Sequence, residues 1–124
     1  MTALLVVVGA VVGAPLRYLT DLFVQSRHDT VFPWGTLTVN AAGSLVLGAV
    51  AGGVSVGGPA WMLPLLGTGF CGALTTFSTF GFETLRLVEE GSLVEGLLNV
   101  LASLLVGFVA CAGGWVLAAS LVQA

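Results

Sequence analysis

Apolar residues run along this chain in four long tracts. The tract at 3–24 carries no charge before Arg17 and Asp21 near its end, and the tracts at 34–54, 60–82 and 96–122 carry none at all. A helix needs about 20 mostly apolar residues to cross a bilayer. The pattern predicts four transmembrane helices in one domain over 1–124. It is unlike the alternating strands of about 10 residues that build a membrane barrel. Charged and polar residues collect between the tracts. The first connector reads Gln25-Ser26-Arg27-His28-Asp29-Thr30, and the second is the neutral Ser55-Val56-Gly57-Gly58-Pro59. The third holds Glu83, Arg86, Glu89, Glu90 and Glu95. Its stretch 83–90 reads as a polar helix end, with Gly91 as the terminating glycine and Ser92 as a cap for the next helix.

Composition gives the same class. The chain is 57% hydrophobic and 7% charged, with a net charge of −3 and a mean hydropathy of +1.10. A soluble domain usually carries about 25% charged residues. Disorder is excluded by the high hydrophobicity. Nucleic-acid binding is excluded because three Arg and no Lys form no basic footprint. The first tract lacks the basic n-region of a signal peptide. Arg27 and Arg86 fall on one side of a four-helix topology and the other side has no Lys or Arg, which biases both termini outward. Two charges leave both orientations open.

Cys71 and Cys111 lie within spans, in no metal or redox motif. Gly9 and Gly13 share a GxxxG spacing, and Gly43 and Gly48 follow on the second tract. Small residues let helices approach closely in lipid. They serve either packing within the chain or an interface with a second subunit. Asn40 and Ser44, and likewise Asn99, Ser103 and Gly107, repeat every four residues and so share a helix face. Polar groups in hydrocarbon turn inward, either to bond neighbouring helices or to line a path for a hydrated solute.

The third tract carries the most information. It runs Gly69-Phe70-Cys71-Gly72-Ala73-Leu74-Thr75-Thr76-Phe77-Ser78-Thr79-Phe80-Gly81-Phe82-Glu83. Thr and Ser divert hydrogen bonds to nearby backbone, so four hydroxyl residues in five predict a break in the helix. Broken backbone at membrane depth belongs where it is buried or lines a cavity. Phe77 and Phe80 share a face, and the positive edge of an aromatic ring can meet an anion.

The stretch Gly72-Ala73-Leu74-Thr75-Thr76-Phe77-Ser78-Thr79-Phe80, followed by Glu83, resembles the signature of the Fluc (CrcB) fluoride channels. The segments Gly9–Tyr18, with Gly9, Gly13, Arg17 and Tyr18, and Pro33–Ser44, with Pro33, Gly35, Thr36, Leu37, Val39, Asn40, Gly43 and Ser44, resemble two further motifs of that family. The resemblance covers all four spans in order. It implies an all-α membrane fold with the third helix broken at midmembrane, assembled as an antiparallel, dual-topology dimer. It implies passive fluoride efflux across the cell membrane and no enzymatic activity. Phe77, Phe80, Asn40, Ser78 and Thr79 would line the pore, with Asn99 and Ser103 on the fourth-helix track, where the family often has Tyr in place of Asn99. Arg17 would stand in the vestibule and Glu83 just past the motif. The carbonyls of Gly72 and Thr75 would hold a structural sodium ion at the dimer centre. The partner subunit could be a second copy or a similar chain of opposite orientation. A small multidrug exporter and a non-transporting assembly subunit are the alternatives. The exporter would need a deep carboxylate, and Asp21 and Glu83 lie near span ends.

Overall fold

A computed structural model of the protein describes residues 1–28 and 32–123. Asp29 and Thr30 of the first connector lie outside the described residues. The described chain is helical: α1 (Thr2–Ser26), α2 (Trp34–Ser55), a π-helical stretch (Leu63–Cys71) running straight into α3 (Gly72–Leu74), α4 (Phe77–Glu89) and α5 (Leu93–Gln123). Four helical stretches are long and apolar enough to cross a membrane: Thr2–Ser26, Trp34–Ser55, Leu63–Glu89 and Leu93–Gln123. Each differs from the sequence estimate by a few residues. The third begins later, because Ala60 and Trp61 form a turn, and it ends later, because α4 runs on through its polar end to Glu89.

Two of the connections have one design. Gly57 and Gly91 adopt positive φ (109° and 85°), which costs a residue without Cβ little. At each, the next amide reaches back to close the helix: Gly58 N–H donates to Gly53 O at 2.9 Å, and Ser92 N–H to Leu87 O at 2.8 Å. These are Schellman ends. Ser92 does not cap α5 as expected: its carbonyl accepts from Gly96 N–H, but its hydroxyl makes no hydrogen bond among the described residues.

Packing is by close backbone approach. A Cβ on Gly9 would strike the Leu65 carbonyl, and one on Gly13 the Phe70 carbonyl, so α1 lies directly on the π-helical stretch. A Cβ on Gly48 would strike the Cys111 carbonyl and one on Gly114 the Leu45 carbonyl, so α2 and α5 are equally close. Of the two uses foreseen for the glycines, packing within the chain is the one seen at Gly9, Gly13 and Gly48; at Gly43 the neighbour is the Thr75 methyl of the same chain. The buried apolar core is small: Val39, Val50, Cys71, Leu74 and Leu87. Most large apolar side chains, from Leu4 to Val122, face outward, as they do where lipid or a second subunit replaces water.

The third span bends at Thr75–Thr76. Thr75 (ψ 161°) and Thr76 (φ −148°, ψ 121°) are extended. Their side chains explain the interruption. The Thr75 hydroxyl donates to Cys71 O at 2.8 Å, completing the end of α3. The Thr76 hydroxyl accepts from Thr79 N–H at 3.2 Å, the usual way for threonine to cap a helix start. The bend also changes the span's neighbours. Before it the chain packs on α1 and α2; after it, on α5 and slightly on α2, with no close backbone approach to α1.

Candidate functional site

The bend is held open from α2. Asn40 Nδ2 donates to the Thr76 carbonyl at 3.1 Å, and Thr76 N–H donates to Asn40 Oδ1 at 2.8 Å. One side-chain amide thus takes both polar groups of the residue at the interruption, which would otherwise be left unpaired. Thr76 N–H is the amide that a continuous helix would give to Gly72 O, and Thr79 N–H the one it would give to Thr75 O. Both are diverted, to Asn40 and to the Thr76 hydroxyl. The carbonyls of Gly72 and Thr75 are therefore released from helical pairing, and Gly72 is exposed.

Beside the bend lies an open groove of about 320 Å³ whose walls include Asn40, Ser44, Gly72, Thr75, Thr76 and Phe77. Its lining carries carbonyl, hydroxyl and amide groups and one aromatic ring, with no Lys or Arg among the described residues. Phe77 opens α4 and is 83% exposed. Phe80 is half-buried, with its ring centroid 5.9 Å from that of Phe77 and the planes tilted by 43°. Ser78 is exposed, its Oγ 3.4 Å from Thr76 Oγ1. Thr79 Oγ1 accepts from the Thr76 hydroxyl at 3.0 Å, which leaves its own proton free for a ligand.

The two polar tracks read from the sequence are used differently. Ser44 Oγ sits 3.6 Å from where a side chain on Gly107 would begin, so α2 and α5 bring their tracks side by side. Asn99, however, has no exposed surface. Its Nδ2 donates to Thr84 Oγ1 at 2.7 Å and its Oδ1 accepts from Ser103 at a long 3.5 Å.

Arg17 and Glu83 stand apart from the bend. Glu83 accepts a hydrogen bond from Thr36, in the first turn of α2. The Asp21 carboxylate abuts Gly35 in the same turn, and Gln25 Oε1 accepts from Gly35 N–H at 2.8 Å. Negative groups suit the positive end of a helix dipole. Arg17 is half-buried and pairs with no side chain among the described residues. Thr76, Thr84, Thr36 and Gln25 are the partners that sequence reasoning did not assign. Only Thr76 left a signal, as a cap-type residue just ahead of Phe77.

Residues 4–115 match the family model of the CrcB-like protein, Camphor Resistance (CrcB). A Frankia casuarinae protein named fluoride-specific ion channel FluC 1 is 56% identical, over 95% of this chain and 96% of its own length. A Streptomyces avermitilis protein of the same name is 56% identical over 93% and 94%. A Shewanella amazonensis fluoride-specific ion channel FluC is 44% identical over 82% and 83%. The match extends through the bent third span and the helices that pack on it, and the chain belongs to the CrcB family.

Proposed function

We propose that this protein is a fluoride-specific channel that lets fluoride leave the cell passively across the cell membrane. The observation that carries the reading is the bend at Thr75–Thr76. It sets hydroxyls and the Phe77 ring on a groove without fixed positive charge, with the Phe80 ring next to Phe77. Fluoride is small and strongly hydrated, so entering a narrow path requires donors that replace its water. Full positive charges would hold it too long for conduction. Ring edges and hydroxyls attract it more weakly. In this reading Phe77, Phe80, Ser78, Thr79 and Asn40 face the ion, and Ser103 continues the route along α5.

One chain does not enclose a path. Phe77 and the groove are open in the single protomer, and an antiparallel pair of chains would close them, with the bend at midmembrane. The released carbonyls of Gly72 and Thr75 suit a hard cation, which prefers oxygen ligands. Two from each of two chains would hold one sodium ion on the dimer axis. Such an ion, when bound, supplies a fixed central charge. The chain's own contribution is to keep those carbonyls out of helical bonds, through Asn40 and Thr76.

Liposomes holding the purified protein should release fluoride without a proton or sodium gradient and release chloride far more slowly. Equal fluxes of the two ions, or strict dependence on a gradient, would overturn the channel reading. Within it, Phe77→Ile and Phe80→Ile keep apolar bulk and remove the ring edge. Each should lower fluoride flux by at least about tenfold, or roughly 1.4 kcal/mol on the barrier. Unchanged flux in both would show that the rings only pack.

A further inference from the structure

We infer that Asn99 is a positioning residue: from α5 it holds Thr84, and through Thr84 the first turns of α4 that carry Phe77 and Phe80. The inference rests on the channel reading for its flux readout and on the structure alone for its geometry. Hydrogen-bond directions fix the arrangement. The Thr84 hydroxyl has one proton, and it goes to the Phe80 carbonyl at 2.8 Å. Its oxygen can then only accept, so the amide nitrogen of Asn99 must face it, at 2.7 Å. That orientation leaves Oδ1 of Asn99 to receive the Ser103 hydroxyl. The result is a directed series from α5 through Thr84 to the backbone of Phe80.

Its position gives it a purpose. The interruption at Thr75–Thr76 breaks the helical hydrogen bonding between α4 and the helix before it, so how α4 is turned rests on its turn into α5 at Gly91, the Thr36–Glu83 bond and side-chain holds from α2 and α5. Asn40 holds its leading end at Thr76. Asn99 holds it eight residues on, roughly 12 Å further at helical rise. Phe77 and Phe80 lie between these two holds. Asn99 is buried with no exposed surface and does not line the groove of this protomer; its hydrogen bonds go to Thr84 and Ser103. Ser103, the next polar residue on that face, is half-buried and keeps its place in the track.

The test compares Asn99→Leu, Thr84→Val, the double variant and Thr84→Ser in liposomes, with assembly checked by size exclusion. Asn99→Leu and Thr84→Val should each lower fluoride flux about tenfold. The double variant should lose no more than either, since groups acting through one another are not additive. Thr84→Ser, which keeps the hydroxyl, should conduct as the parent does. Full flux in Thr84→Val beside reduced flux in Asn99→Leu would overturn the inference, because Asn99 would then act without Thr84. So would additive losses. A parent protein that passes no fluoride would sink the channel reading instead. Amide hydrogen exchange over Phe80–Thr84 then decides the positioning role alone: faster exchange in both single variants upholds it, and unchanged exchange refutes it.

Discussion

Liposomes carrying Asn40→Leu should release fluoride at least about a hundredfold more slowly than those carrying the parent chain. The amide of Asn40 takes both polar groups of Thr76, and leucine can take neither. Leaving a buried polar group unpaired costs about 1–3 kcal/mol, so the open bend loses on the order of 3 kcal/mol relative to its alternatives. The nearest alternative is a continuous helix. Thr76 N–H would turn to the Gly72 carbonyl four residues back, straightening the span and swinging Phe77 off the groove and Phe80 with it. A hundredfold loss corresponds to roughly 2.7 kcal/mol, within that range. Asn40→Asp keeps an acceptor for Thr76 N–H but sets a carboxylate against the Thr76 carbonyl and the passing anion, and should also fail. Flux in Asn40→Leu within about threefold of the parent would show that the bend stands without its side-chain support.

Gly48→Ala should prevent the protein from being recovered as a single, well-dispersed species. The added methyl would run into the Cys111 carbonyl, with Cys111 C and Cα also inside 3 Å. Those atoms are backbone, and backbone cannot rotate aside. α2 and α5 would have to separate along their length, at the upper end of the roughly 1–3 kcal/mol that overpacking costs, or above it. A protein stable by only about 5–15 kcal/mol has little margin for that. Gly113→Ala is the control, because nothing lies within 4 Å of its would-be Cβ, and it should behave as the parent. Size exclusion after extraction and a thermal unfolding midpoint read both. Equal behaviour would mean that the α2–α5 contact is looser than its geometry.

The four spans were legible because each depends on its own composition: about 20 apolar residues read the same whatever packs beside them. The interruption was legible for a similar reason, since Thr75 and Thr76 act on backbone within four residues of themselves. What holds the interruption was not. Asn40 and Thr76 are 36 positions apart, and Asn99 and Thr84 are 15 apart across a turn. Four-residue spacing on a helix shows that Asn40 and Ser44 share a face, but not what that face meets. The two asparagines looked alike in the sequence, each at the head of a polar track. One secures a peptide beside an open groove and the other a hydroxyl in a closed contact. The glycines had two readings for the same reason: a small residue permits an approach without naming the approaching partner. The wide winding of Leu63–Cys71 left no composition signal, although Gly67 and Gly69 lie buried within it.

The change of neighbours at Thr75–Thr76 also orders assembly during synthesis, where chains emerge from the N-terminus first. α1, α2 and the span through Leu74 pack on one another and can associate as soon as they have left the ribosome. α4 has almost no neighbour among them, and both its main contact and the glycine seam of α2 await α5. α5, made after both, therefore seats two earlier helices at once. A chain stopped in the turn at Gly91 would hold α4 in the bilayer without its main partner, its Thr84 oxygen lacking the Asn99 amide and the glycine seam of α2 bare. A nascent chain in that state presents a recognisable surface to membrane quality control, and it disappears only when α5 closes over it.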